Sequence, residues 1–216
     1  APWCGFFLSG AIALNKAPLK AQHWLIFALV AALFFAWGAW LMRSSEVEPV
    51  AHLQQWRDAL LQPLAEDGLT LRDVQALVPG ELWLEPRLDG ARLSYRATLE
   101  GEEGEWLLQA ELVLSQGQRD SLMAAQGLKP GDADTVLDDS LSEQMAGFAI
   151  ASLTLQAPDA LASERLATSL GQPRLTLELA DGQAWVYPQW GLTVHLRGDE
   201  VELLHAVPRK AFRATR

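Results

Sequence analysis

Four histidines, one cysteine and several acidic pairs are the residues through which this chain could do chemistry, and their spacing supports none of the usual kinds. His23, His52, His195 and His205 are scattered. His195 and His205 fall on neighbouring predicted strands but lack a nearby Cys or a second ligand at metal spacing. Asp138-Asp139 and Glu102-Glu103 sit at a predicted helix start or in a turn, where a carboxylate caps the helix or is simply solvated. Cys4 is alone, which excludes an intramolecular disulfide. There is no nucleophile elbow, no phosphate-binding glycine loop and no Cys-x-x-Cys. The composition therefore argues against an enzyme, and no cofactor, metal or small-molecule substrate is expected.

The aromatic residues carry more information. Trp185 and Tyr187 are two apart in a predicted strand and so share one sheet face, opposite Val186. Leu93 and Tyr95 stand in the equivalent positions of an earlier strand, and Trp190 falls in a turn. Exposed Trp and Tyr are what a protein-binding hot spot uses, since they are large, amphipathic and cost little to order. Tyr95, Trp185, Tyr187 and Trp190 are therefore the candidate protein-binding residues. The competing reading places the same face under the helices, with its aromatics in the core.

The elements that position these residues begin with an uncharged run, AQHWLIFALVAALFFAWGAWLM, between Lys20 and Arg43. As a helix it would be about 33 Å long, enough for a bilayer core of about 30 Å. Trp24 near one end and Trp37 and Trp40 near the other fit the aromatic belts of a membrane-anchoring span. A cleaved signal peptide is the alternative, but the apolar run exceeds a usual signal core and no small-x-small pair precedes Arg43. A buried core helix is a third. Lys16 and Lys20 before the span point the N-terminus to the cytoplasm. A single-pass bacterial inner-membrane protein with a periplasmic body is then expected.

All 27 Asp and Glu follow this segment, with 10 Lys and Arg between residues 44 and 208. So acidic a body argues against binding nucleic acid or lying flat on anionic lipid. The last eight residues, RKAFRATR, are basic and are expected to be a solvated, frayed end.

The body follows one order of elements twice. Leu53, Trp56, Leu60, Leu61 and Leu64 recur at helical spacing, with a kink expected at Pro63, and Thr70 caps a second helix over LRDVQALV. Three strands follow, ELWLEP, ARLSYRATL and WLLQAELVL, the first two joined by Asp89-Gly90. Downstream come a mixed stretch from Val136 to Leu155 and a helix over DALASERLATSL closed by Gly171. The strands RLTLEL, QAWVYP, GLTVHLR and EVELLHAV complete the second cycle, with Asp181-Gly182 as the matching turn. DGARLSY and DGQAWVY share the turn and a tyrosine five positions beyond the Gly. Duplication and convergence on a helix layer over one sheet face both account for the match.

The expected fold class is α+β, with one N-terminal transmembrane helix followed by two helix-helix-three/four-strand antiparallel units. The expected boundaries are a cytoplasmic head at 1–20, the span at 21–43, a linker at 44–52, a first unit at 53–115, a linker at 116–135 with one short helix at SLMAAQ as an alternative, a second unit at 136–208 and the basic tail at 209–216.

The stretch ASERLATSLGQPRLTLELADGQAWVYPQWGLTVHLRGDEVELL resembles the small outer-membrane assembly lipoproteins of the SmpA/OmlA, or BamE-like, type. Leu170, Gly171 and Pro173 supply that family's helix-ending step, Trp185 and Tyr187 its aromatic strand, and Gly198-Asp199 its last turn. The resemblance implies a two-layer α/β domain that binds other envelope proteins without catalysis. The tandem arrangement is similar to that of the β-lactamase inhibitory proteins, whose exposed sheet faces form a concave surface for a protein partner. A spanning segment stands here where the lipoproteins have a lipidated cysteine, so a role in outer-membrane assembly does not transfer. Two functions are expected on these grounds. The first is an inner-membrane-anchored adaptor or component of an envelope assembly, secretion or pilus machine. The alternative is an immunity or inhibitor protein that neutralises a toxin or enzyme in the periplasm.

Overall fold

The computed structural model describes residues 21–41 and 47–214. The head at 1–20 with Cys4, Arg43 and the start of the first linker lie outside the described residues, as do the last two residues of the tail. The chain divides into two compact units, residues 1–46 and 47–216.

In the first unit, Ala21–Leu41 form helix α1, 21 residues without an acidic side chain in the first turn or a basic one in the last. Ala, Leu and Phe dominate it, and no Pro or acidic residue interrupts it. It is apolar all round, the pattern of a helix whose solvent is not water. Trp24, Trp37 and Trp40 are each more than half exposed. Its length and composition suffice to cross a membrane, a test that a signal sequence also meets.

The second unit opens with α2 (Leu53–Trp56), a π-helical turn (Arg57–Leu61) and α3 (Gln62–Ala65), which run on as one helical segment. The widened turn lies just before Pro63, whose ring would otherwise press on the preceding turn and whose nitrogen has no hydrogen to donate. The irregularity expected at Pro63 is thus absorbed one turn upstream. Helix α4 (Leu71–Leu77) starts at Thr70, whose backbone N–H donates to the Asp73 carboxylate at 2.9 Å. Strands β1 (Gly80–Arg87), β2 (Gly90–Gly101) and β3 (Gly104–Leu112) then form the expected meander.

Helix α5 (Gln116–Gln126) occupies the first part of the expected linker and begins five residues before SLMAAQ. Its cause is legible in the sequence: Ser115 and Gln118 form a capping box, with the Ser115 N–H donating to Gln118 Oε1 at 2.8 Å. After the two-residue strand β4 (Thr135–Val136), Asp138 caps α6 (Asp139–Gln144), its Oδ1 accepting from the Leu141 N–H at 2.9 Å. Strand β5 (Ile150–Gln156) and helix α7 (Ser163–Leu170) lead to the second meander, β6 (Leu175–Leu179), β7 (Gly182–Tyr187), β8 (Leu192–Arg197) and β9 (Glu200–Ala206). Last is α8 (Arg209–Ala214). It departs from the frayed tail expected of RKAFRATR, because Lys210 pairs with Asp67 at 2.8 Å and Arg209 Nε donates to the Ala65 carbonyl at 3.3 Å. Those cations meet the C-terminal end of α3, where the last carbonyls lack helical partners.

The fold is α+β, and its strands form one sheet of nine in the order β4-β1-β2-β3-β5-β9-β8-β7-β6. Every pairing is antiparallel. The strands expected in two units thus belong to one sheet, joined through β5, and the buried residues form one core. One face of the sheet carries Leu82 and Leu84, Leu93 and Tyr95, Trp106 and Leu108, Leu153 and Leu155, Val194 and Leu204, all buried. Against it pack Leu53, Trp56, Leu60 and Leu64 of the first helical segment, Leu71 and Val74 of α4, Leu122 of α5 and Leu166 of α7. Trp56 meets Trp106 edge to face with ring centroids 5.3 Å apart, worth about 1 kcal/mol beyond the area buried. The start of the body is tied to α7, since the Val50 N–H donates to Ser169 Oγ at 2.7 Å and Arg165 Nε to the Glu48 carbonyl at 3.0 Å.

Candidate functional site

Because opposite residues of antiparallel strands share a face, the pairings assign every strand residue to a side of the sheet. Leu82 pairs with Tyr95 and Tyr95 with Ala110, which puts Tyr95 on the helix-covered side. Trp185 pairs with Val194, and Tyr187 with Leu192, on that same side. Trp185 and Tyr187 do share a face, but it is the face turned to the helices. Tyr95 and Tyr187 are buried, while Trp185 and Trp190 are partly buried against the core. Of the two readings of this face, exposed or under the helices, the exposed one is corrected for Tyr95 and Tyr187: strand parity says which residues go together, and the larger apolar area on that side draws the helices over it.

Each of the two buried tyrosines has a hydrogen-bond partner for its hydroxyl. Tyr95 Oη donates to the Val78 carbonyl at 2.9 Å, at the end of α4. Tyr187 Oη donates to the Gly171 carbonyl at 3.0 Å, at the end of α7. Each hydroxyl thus satisfies a carbonyl that the helix end leaves without a partner. Burial pushes the Tyr187 hydroxyl up to about 12.

Among the described residues of the second unit, the helices pack on that one side and leave the opposite face open. It presents Glu81, Trp83 and Glu85 from β1, Ser94, Arg96 and Thr98 from β2, Leu107 and Gln109 from β3, and Thr154 and Gln156 from β5. Leu107 is 50% exposed there. A groove of about 480 Å³ runs across these strands, lined by Glu81, Trp83, Arg96, Leu107, Gln109 and Thr154 among others. A second hollow of about 490 Å³ beside it shares Leu107 and Gln156 and continues to Pro158 and Asp159.

Trp83 and Arg96 define one wall of the groove, with the Arg96 guanidinium 4.7 Å from the centroid of the Trp83 ring. That stacking favours a cation over an aromatic face. Glu85 fixes the guanidinium in place. The residue is 3% exposed, and its carboxylate accepts from Ser94 Oγ at 2.6 Å, Arg96 at 2.7 Å, Arg87 at 2.7 Å and Gln109 Nε2 at 3.1 Å. Asp134, from the segment before β4, takes a second bond from Arg96 at 2.7 Å. Burial pushes the Glu85 carboxyl up, but the bonds from Ser94, Arg96 and Arg87 outweigh it and hold the group at about 2, against an ordinary 4.5. Two carboxylates and two guanidiniums thus close a neutral network that orients a Trp-Arg pair toward the groove.

Sequence reading missed Trp83, Glu85 and Arg96. The signal was the alternation in ELWLEP, where Trp83 and Glu85 share a parity opposite to Leu82 and Leu84, and where the charged member marks the uncovered side.

His195 and His205 stand on adjacent strands β8 and β9 of the open face, on diagonal positions, since His195 pairs with Leu203 and His205 with Thr193. Thr154 Oγ1 lies 3.1 Å from His205 Nδ1. Burial pushes the His205 imidazole down and His195 adds to that, with Glu111 opposing. Among the described residues no group of three or more His, Cys, Asp or Glu side chains is placed to hold a metal ion. His23 lies on α1 and His52 stacks on Trp56 with centroids 6.1 Å apart.

The arrangement offers a wide, shallow, mixed polar and apolar surface with rigid anchors, suited to holding another macromolecule. Compared with known proteins, the chain matches no family model, no curated protein and no solved structure.

Proposed function

We propose that this chain is a membrane-anchored protein-binding module that works without catalysis, and that it binds through the open face of its sheet. The observation that carries the proposal is the groove on that face, with Trp83 and Arg96 stacked at its wall and Glu85 locking them from beneath. Trp and Arg held rigid beside exposed Leu107 are the residue types that dominate binding energy at protein interfaces.

Around this core the reading is of a bacterial inner-membrane protein with its N-terminus in the cytoplasm, α1 as a single span and the acidic body in the periplasm. Support comes from Lys16 and Lys20 ahead of the apolar run and from the acidic residues that all follow it. The body is read as a tandem pair of BamE-like units. In support, Asp89-Gly90 and Tyr95 each recur 92 positions later, as Asp181-Gly182 and Tyr187. The two tyrosines make the same bond to the end of the preceding helix. Within the sheet, β1-β2-β3 on one side of β5 and β6-β7-β8-β9 on the other each run in chain order toward β5. On this reading the chain is an adaptor or component of an envelope assembly, secretion or pilus machine.

Photo-crosslinking in cells tests the proposal. A photoreactive residue at Leu107 or Gln109 is expected to yield a discrete protein adduct that Trp83→Ala and Arg96→Ala abolish, and one at Ser140, exposed on α6, is expected to yield none. Equal adducts from both sites, or none from either, would refute it. The acidity of the body favours the second reading, an inhibitor or immunity protein steered onto a basic enzyme. In that case the adduct is a toxin or enzyme whose association rate falls steeply with salt.

A further inference from the structure

One edge of the sheet is blunted and the other is not. At one end lies β4, only two residues long. At the other lies β6, Leu175–Leu179, with all five residues exposed. Its Leu175, Leu177 and Leu179 are 51%, 44% and 45% exposed. The devices that usually protect an edge, an internal Pro, a Lys or a bulge, are missing from LTLEL, whose one charge is Glu178. Its outer backbone groups therefore form a template for another strand.

The sequence around the strand, Arg174-Leu175-Thr176-Leu177-Glu178, is complementary to itself when read backwards. Opposed residues in an antiparallel pair must share a face, so two copies can meet only with a residue of one copy on the symmetry axis. With Thr176 on the axis, Arg174 opposes Glu178 of the second copy at both ends, Thr176 opposes Thr176, and Leu175 opposes Leu177 on the other face. Placing Leu177 on the axis opposes Glu178 to Thr176 and Arg174 to Ala180, which pairs no charges. Placing Glu178 there sets the two carboxylates against each other. Arg174 makes no ion pair among the described residues, so its charge is available for such a contact.

We propose that two copies of this chain associate edge to edge through β6, in the register centred on Thr176, and so join their sheets into one. The contact is separate from the groove on the open face and leaves that groove free in both copies.

The test uses the full chain in mild detergent, in a Cys4→Ser background for the cysteine variants. Thr176→Cys is expected to form a disulfide-linked dimer under mild oxidation, and Leu177→Cys, which opposes Leu175 and not itself, is expected to crosslink far less. Arg174→Glu or Glu178→Arg alone is expected to weaken dimerisation about tenfold or more by sedimentation, through like charges opposed at both ends. The two single variants mixed, or Arg174→Glu and Glu178→Arg combined in one chain, are expected to restore it. A monomer at all concentrations, a dimer indifferent to the single charge changes, or failure of the swap to restore it would overturn the proposal. Open-ended aggregation in place of a dimer would overturn it as well.

Discussion

Replacing Glu85 by Gln keeps the size of the side chain and removes one charge from the network beneath Trp83. In the folded chain the carboxyl is held at about 2 against an ordinary 4.5. That difference corresponds to about 3 kcal/mol in favour of the charged form, at about 1.4 kcal/mol per tenfold change in proton affinity. Leaving one member of a buried pair alone costs about 3–5 kcal/mol. Here Arg87 and Arg96 are half to one-third exposed and keep Asp134, so the lower part of that range applies. We therefore expect Glu85→Gln to lower stability at pH 7 by about 3 kcal/mol, a drop in Tm of about 6–12 °C for a body of this size.

The dependence on pH separates this mechanism from a packing defect. Because the folded-state pKa is depressed, the stabilisation is complete above about 4.5 and is lost as pH falls toward about 2. Protonated Glu85 resembles Gln, so the wild-type and Glu85→Gln melting curves should converge between pH 4.5 and 2. The assay is near-ultraviolet circular dichroism of the full chain in detergent, which follows the packing of its tryptophans. A stability gap that stays constant from pH 7 to pH 2.5, or no gap at pH 7, would refute the reasoning.

Four further outcomes are expected. Tyr95→Phe and Tyr187→Phe should each cost about 1–2 kcal/mol in urea unfolding, and by similar amounts, since each removes the hydrogen bond from a buried tyrosine to a helix-end carbonyl; a loss confined to one would break their equivalence. Gly182→Ala should prevent folding or cost more than about 3 kcal/mol, because its Cβ would sit 2.0 Å from the Leu196 carbonyl oxygen. Gly198→Ala, with φ +63 and open space around it, should cost only about 1 kcal/mol. His205 has a depressed pKa, so it stays neutral in the fold below the pH at which the unfolded chain takes up a proton. Stability should then fall as pH drops below about 6.5, and His205→Gln should flatten that slope; an NMR titration midpoint at or above 6.5 would contradict it.

Much of the local structure was legible because it follows from local chemistry. Asp89-Gly90 and Asp181-Gly182 fix two hairpins, since a Gly at positive φ closes each turn, as Gly90 and Gly182 do. Thr70 with Asp73 and Ser115 with Gln118 set helix starts through side-chain bonds three residues long. Strand β5 was not legible, and its reason is specific. The ladder shifts register between Glu111 and Leu112, so the buried residues Ile150, Leu153 and Leu155 are spaced three and then two apart. That breaks the period of two on which strand recognition depends.

The uncharged helix, the acidic body, the turns, the caps and the parity that places Trp185 with Tyr187 can all be read from short stretches of sequence. Those are settled within a few residues of chain, by charge, backbone freedom and side-chain reach. Long-range packing instead sets how β5 joins both meanders into one sheet, which face the helices cover, and why Trp83 and Arg96, not the tyrosines, stand on the open side. These depend on contacts between residues far apart in the chain, such as Arg96 with Asp134 and Val50 with Ser169. The free energy that chooses a face is summed over the whole buried area, and no local window of sequence contains that sum.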